Sequence, residues 1–555
     1  MGLKFNPKTK EFVLYTKDAK SAQAAGLTLS TRVRGQNGEL VYFTDDSYAA
    51  LPFYKEADPV VAASLGAMYS DYQKSWADHS PNVYEVGQAD SPQRQNGLRD
   101  YQNAGVDYAL AHPNCLIGDE MGIGKTATSI AVANVICAKK ILVICPASIR
   151  LNWRKQVKMW SSIRQVRTNP ILKGSDGVSP TWPHYTIISY ELTRNLGIHA
   201  ALRAIHWDMI IIDEAHFLKS PGAQRTQAIF GGGVRLELKE SLSKCADRII
   251  CLTGTPLLNR PKECFTLAHA LDWAAIDYMS FDDFCYRFNP SATIRDVERG
   301  SLMDGTPTFK NKTYAREEKG RLPELQARLR CNFMVRRLKK DVLKQLPEKQ
   351  YEFAYIEPDA RIREVIKHEK MLDFKLSDLI NPDAELFGQI ATLRREMGEA
   401  KVDRCVEHIR YLLDIEEVEK LVVFSHHRSV MDALREQLQE YGVVEVRGGM
   451  GTTAKENSVM QFQTSNKVRV FSGQLDAAGF GIDGLQNVAS RMVFIEAAWC
   501  PGTNDQAVDR LHRLGQSFPV WAQFLVVEGS LDEKILAAVL DKAYTINEVL
   551  DKRAA

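Results

Sequence analysis

Between residues 115 and 252, short and uniformly apolar runs alternate with longer stretches whose apolar positions recur every three or four residues. The runs lie at 115–117, 140–146, 185–190, 209–212 and 248–252. Strands this apolar, separated by helices, predict a parallel sheet covered on both faces. Functional groups then gather at the carboxyl ends of the strands, where Lys125, Asp213, Glu214 and Thr253 fall. From about 275 to 350 the pattern turns helical and charged. Its Phe333-Met334-Val335-Arg336-Arg337-Leu338-Lys339-Lys340-Asp341-Val342 run carries a basic cluster. That cluster reads as a contact to phosphates or, more commonly on sequence alone, as a solvated helix face. A helical segment follows at 360–415, with a second α/β unit from about 418 whose strands fall at 420–425, 443–446, 468–472 and 491–495. Ahead of all this, strands at 11–15 and 39–43 flank a short helix at 18–25, and a polar, proline-bearing linker spans 82–96. The expected units are an N-terminal α+β module at 1–90, a first lobe at 91–275, a helical insertion and interlobe segment at 276–350, a helical segment at 351–417 and a second lobe at 418–545.

The first apolar run feeds Gly118-Asp119-Glu120-Met121-Gly122-Ile123-Gly124-Lys125-Thr126, and a helical pattern begins at Ala127. Strand, glycine-rich turn, Lys-Thr and helix is the layout of a phosphate-binding loop. Glycines let backbone N–H groups close around phosphates, and the helix N-terminus adds partial positive charge. Lys125 would reach the β- and γ-phosphates of ATP, and the Thr126 hydroxyl would bind Mg²⁺. Nucleotide contacts are therefore expected from Asp119 through Ala127. The strict pattern wants a small residue five positions before Gly124, where this chain has Asp119. The bland alternative is a turn that only caps a helix. Upstream, the Gln102 amide could pair with both donor and acceptor of an adenine edge.

Asp213-Glu214-Ala215-His216 follows a buried strand. Asp213 there can hold Mg²⁺ opposite the loop, and Glu214 can orient and deprotonate the attacking water. The rival reading is an acidic pair capping a strand end. The second unit has no further Gly-Lys-Thr. It carries Gln506-Ala507-Val508-Asp509-Arg510-Leu511-His512-Arg513-Leu514-Gly515-Gln516. Arg510 and Arg513, three apart, would share a helix face and project to the γ-phosphate as arginine fingers. A structural salt-bridge role is the alternative.

Composition adds limits. The 555 residues are 45% hydrophobic and 25% charged, as in soluble globular proteins. A net charge of +2 confines any nucleic-acid surface to a local patch. Ten cysteines without a Cys-x-x-Cys read as reduced thiols and argue against zinc. No apolar run approaches membrane-spanning length, and the first residues lack the apolar core of a signal peptide.

Together these segments resemble the Swi/Snf-related branch of the second helicase superfamily, over residues 98 to about 540. The resemblance rests on 98–102, 119–126, 213–216, 253–256, 333–346, 479–483, 499–501 and 506–516, and Asp-Arg-Leu-His-Arg-Leu-Gly-Gln is its most specific run. Asp119 is the residue this family carries at that place. Where the family has Trp-Asn-Pro, this chain has Trp499-Cys500-Pro501. The resemblance implies two RecA-like lobes, an ATP and Mg²⁺ site between them, and movement along double-stranded DNA. It places further nucleotide contacts at Gly481 and Asp483, and coupling at Thr253, Gly254 and Thr255. It places DNA contacts at Pro146, Ser148, Ser189, Tyr190, Ser425, Ser472 and Trp499. Within the family, 338–347 is similar to the annealing-helicase, HepA-related group. The expectation is a compact, monomeric motor of the cytoplasm of a bacterial or virus-infected cell.

The resulting expectation is an ATP-dependent double-stranded DNA translocase, with forked or branched DNA as a candidate substrate. Its rivals are a strand-separating DNA or RNA helicase and a nucleotide-gated DNA-binding scaffold with little turnover. The motor is expected to fold without residues 1–90. Those residues, through Lys17, Lys20, Arg32 and Arg34, would bias it toward branched DNA, or else form a packing cap.

Overall fold

Alternate residues of the apolar runs point to opposite faces of one sheet, and both faces are buried. Leu142, Ile144, Ile210 and Ile212 enter one core, while Ile141, Val143, Met209 and Ile211 enter the other. This double burial is why the runs are continuous rather than alternating. The computed structural model describes the whole chain except residues 1, 26, 31–38, 182, 232–240, 259, 289–292, 302–306, 316–320, 373–383, 417, 479–481 and 552–555.

The first lobe is a seven-stranded sheet in the order Met334–Val335, Asn114–Ile117, Ile249–Leu252, Met209–Asp213, Ile141–Cys145, Tyr185–Ser189, Thr168–Pro170, with every pairing parallel. The five expected strands form its centre. The edge strand Met334–Val335 corrects the helical reading of 333–342. Met334 pairs with Leu116 and Val335 with Ile117. The basic cluster is consequently neither a solvated face nor a phosphate contact, because Arg336, Arg337 and Lys339 are buried. The region 276–350 also departs from an all-helical reading, since Thr293–Ser301 and Pro307–Ala315 pair as an antiparallel hairpin.

The second lobe is a six-stranded parallel sheet in the order Lys349–Ile356, Val520–Val527, Arg491–Phe494, Leu421–Ser425, Val470–Gln474, Val443–Val446. The segment from 351 therefore opens with an edge strand. The helices Ala360–Met371, Ala384–Ala400 and Val402–Asp414 come after it. The last helix, Leu531–Leu550, starts on this lobe and ends on the first. Val549 and Leu550 enter the first lobe's core, and the Asp551 carboxylate accepts from Arg336 at 2.6 Å.

The N-terminal module is an antiparallel sheet, Gly2–Asn6, Glu11–Thr16, Leu40–Thr44 and Thr28–Leu29, backed by the helix Pro59–Lys74. Its core includes Ala327 and Cys331 of the helix Leu322–Asn332. Asp46 accepts from Arg287 and Arg328, each at 2.6 Å, and both arginines also reach Glu324. Arg328 and Glu324 are fully buried, so removing the module strips a partner from buried charges. The structure thus runs against independent folding of the motor without residues 1–90. Arg32 and Arg34 lie outside the described residues.

Candidate nucleotide site between the two lobes

A cleft of about 1300 Å³ opens between the lobes, lined by Gln102, Met121, Gly122, Gly124, Lys125, Thr126 and Ala127 on one side. Asp213 and Glu214 lie at its floor, and Asp483, Arg510 and Arg513 face them from the second lobe. The phosphate loop runs from the strand Asn114–Ile117 to the helix Lys125–Val135. Gly124 caps that helix at φ +92°, and a Cβ there would run into the Gln102 amide nitrogen. Gly122, at φ +81°, lies against Arg513. Both positions need glycine for conformation, and Gly124 needs it for space as well.

Several loop side chains are engaged by protein. The Gln102 amide donates to the Ile123 carbonyl at 3.2 Å and accepts from the Arg99 N–H at 2.9 Å. The Gln102 side chain thus fastens the loop to the preceding helix. Both Asp119 oxygens take Arg337, at 2.6 and 2.8 Å, and the Arg337 N–H as well. The Asp119 side chain therefore ties the loop to Arg337, just beyond the neighbouring edge strand. Glu120 accepts from the Lys339 N–H at 2.7 Å. Ile123 packs with Tyr101 and Leu343. Lys125 donates to the Asp119 and Glu120 carbonyls at 2.9 and 3.3 Å, and burial lowers its pKa.

Asp213 ends its strand with one oxygen accepting from Trp153 Nε1 at 2.7 Å and the other from the Glu214 N–H at 2.9 Å. Glu214 sits in the left-handed region at φ +53°, which turns the chain sharply so that both carboxylates face the cleft. That conformation costs roughly 1 kcal/mol and clusters at functional sites. Burial first, and the Glu214 charge second, push Asp213 up to about 7. Burial also raises Glu214, against the pull of Lys125 and Arg510. Two adjacent carboxyls so disfavoured as anions create a demand for cations. Among the described residues, one Glu214 carboxyl oxygen, 3.4 Å from His216 Nδ1, and the Arg510 Nε are buried without a hydrogen-bond partner. Such orphans fit a site built for a ligand the protein itself does not supply. His216 Nδ1 contacts Thr253 Oγ1 at 2.9 Å, and the same oxygen accepts from the Thr255 N–H at 3.1 Å. Burial holds His216 down to about 3, so the ring is neutral. Gly254 lets Met121 and Lys125 approach its Cα closely. The Gln506 amide donates to Thr255 Oγ1 at 3.0 Å, which ties the 253–255 turn to the second lobe.

The helix carrying the arginine run is Pro501–Val508, so Arg510 and Arg513 lie beyond its end. They enter the cleft from a turn rather than from one helix face. Arg510 is buried, donates to the Ile482 carbonyl at 3.1 Å, and is pulled down to about 10 by burial and then by Arg513. Arg513 pairs with Asp483 at 3.2 Å. Gly481 lies outside the described residues.

The expected DNA contacts fare differently. The side chains of Pro146, Ser189, Tyr190, Ser425 and Ser472 are buried. The Tyr190 hydroxyl donates to the Asp213 carbonyl at 2.6 Å. The Ser425 and Ser472 hydroxyls are buried on the second sheet without a hydrogen-bond partner among the described residues. Ser189, Ser425 and Ser472 lie within strands, and Pro146 and Tyr190 directly follow theirs. Ser148 lines the nucleotide cleft, and Trp499 packs against the last helix with Lys542 over its ring. No expected DNA residue therefore offers a freely exposed side chain. Sequence reasoning missed Trp153, which orients Asp213, and Arg336 and Arg337, which grip the loop. Arg336 donates to the Gly118 carbonyl at 2.6 Å and the Gly254 carbonyl at 3.0 Å. The apolar Phe333-Met334-Val335 ahead of them was the available sign of a buried strand.

A family model for the SNF2-related domain matches residues 50–412, and one for the helicase conserved C-terminal domain matches residues 401–515. Relatives include the SWI/SNF-related matrix-associated actin-dependent regulator of chromatin subfamily A-like protein 1 of Xenopus tropicalis, 28% identical over 89% of this chain and 49% of the relative. Its Caenorhabditis elegans homolog is 30% identical over 81% of this chain and 61% of the relative. The DNA annealing helicase and endonuclease ZRANB3 of Bos taurus is 28% identical over 82% of this chain and 41% of the relative. The chain thus spans about half the length of these relatives. The motifs that line the cleft fall within the matched residues, and the chain belongs to the SNF2-related family.

Proposed function

We propose that the chain is an ATP hydrolase that moves along double-stranded DNA. The observation that carries this reading is the meeting, in one cleft, of Lys125, Asp213 and Glu214 from the first sheet with Arg510 from the second lobe. Lys125 would leave its two loop carbonyls for the β- and γ-phosphates, and the N–H groups around Gly124 would take the remaining oxygens. Thr126 and Asp213 would hold Mg²⁺, which when bound supplies positive charge against the phosphates. The Glu214 carboxylate would accept a proton from the attacking water. Arg510 and Arg513 would neutralise charge on the transferred phosphoryl group, a contact made only with the lobes together. Hydrolysis then alters how the lobes meet, which is the stroke a translocase needs. One chain supplies both halves of the cleft, so a monomer suffices. The DNA half of the proposal leans on family membership and on a relative named as a DNA annealing helicase. Phosphate contacts would come from the loops beyond the strand ends and carry little sequence information.

The test is ATP turnover with duplex DNA, single-stranded DNA or RNA. Duplex should stimulate most, and salt should weaken binding steeply. Glu214→Gln should keep ATP binding while losing at least a hundredfold in turnover; Lys125→Ala should lose both. Near-normal turnover in Glu214→Gln would overturn the reading.

A further inference from the structure

Behind the cleft lies a cluster of alternating charge, buried at Lys339 and Asp509, that the hydrolysis scheme leaves unused. Lys339 follows the edge strand of the first lobe, and its side chain is 2% exposed. Its Nζ meets Asp509 Oδ1 at 2.8 Å and the His512 carbonyl at 2.6 Å, both in the second lobe's arginine turn. Its backbone N–H donates to Glu120 of the phosphate loop at 2.7 Å. Lys349 lies 3.5 Å from Asp509 and 3.6 Å from Glu120, closing the set of two acids and two bases. His512 Nε2 adds a contact to the Pro347 carbonyl at 2.8 Å. Arg510 and Arg513 flank these anchored residues, so the turn that bears them is fixed to the first lobe at Asp509 and His512.

We propose that Lys339 is a positioning residue for hydrolysis, docking the 509–513 turn on the phosphate loop so that Arg510 and Arg513 enter the cleft in register. This rests on the reading of the cleft as an ATP site. Lys339 does not itself line the cleft and acts through Asp509, which does. Lys339 and Lys349 hold Asp509 well below the usual carboxylate range despite burial, burial lowers the pKa of Lys339, and the 2.8 Å contact between them is what docks the turn. A buried ion pair seldom adds stability over apolar packing, and fixing one arrangement among several is its better-attested use. An error of about 1 Å in a catalytic group can cost on the order of a hundredfold in rate.

The test is single-turnover and steady-state ATP hydrolysis by the full chain with duplex DNA, for Lys339→Met and Asp509→Asn, with thermal unfolding measured alongside. Each should lower kcat by about a hundredfold and leave the KM for ATP within about threefold. In an Arg510→Ala, Arg513→Ala background, either change should cost nothing further, because the groups being positioned are gone. Asp509→Asn keeps the side-chain shape and serves should Lys339→Met fail to fold. Normal kcat in both variants, or the same loss persisting without the arginines, would overturn the proposal while leaving the ATP site standing. An unmodified chain that hydrolyses no ATP would remove the underlying reading, and this one with it.

Discussion

At Arg510 the sequence argument and the structure agree on the destination and differ on the route. The arginine lies past the end of its helix, buried, with no hydrogen-bond partner for its Nε among the described residues and the Glu214 charge acting on it. Arg513 is more exposed and already has Asp483 as a partner. The two are therefore unequal. Arg510→Ala should cost on the order of a thousandfold in turnover with nucleotide affinity largely kept, and Arg513→Ala distinctly less. Nucleotide titration beside steady-state kinetics checks this, and equal turnover in the two variants and the unmodified chain would mean that the lobes meet differently. Asp119 was legible as a motif residue but not as a partner of Arg337, because nothing in its spacing reveals a strand more than two hundred residues away. Gln102 shows the same limit: its position near the loop was legible, and its use as a backbone clamp was not.

Among elements, the continuous apolar strands were the easiest to read, since burial on both faces leaves no polar positions to confuse the pattern. The short edge strand Met334–Val335 was hidden by its flanking charges, which a solvated helix would also carry. The strand Val520–Val527 and the crossing helix Leu531–Leu550 were missed for a different reason: their partners are distant, Lys349–Ile356 for the strand and the first lobe for the helix end. The N-terminal sheet was partly legible, but its docking on Leu322–Asn332 depends on Asp46, which in sequence is one acid among many. Burial opposes the Asp46 carboxylate, and Arg328 and Arg287 outweigh it, holding it below the usual carboxylate range. Asp46→Asn leaves Arg328 short of a charge partner and should destabilise the chain by about 3 kcal/mol. Urea unfolding with unchanged slope is the check, and unaltered stability would mean that the module merely rests on the motor.

For the whole molecule, the two lobes are joined at several independent places. The arginine turn meets the phosphate loop, Gln506 meets Thr255, and the last helix crosses to Arg336, which itself holds the Gly118 and Gly254 carbonyls. Any change at the loop is thus mechanically connected to the relative placement of the lobes. Under the proposed function, such a device would convert hydrolysis into displacement without requiring strand separation. The most direct measurement is release of a triplex-forming strand from a long duplex. The unmodified chain should release it with ATP and Mg²⁺, Glu214→Gln should not, and a plain blunt duplex should stay paired throughout. ATP hydrolysis that leaves the triplex in place, or unwinding of the blunt duplex, would contradict the account.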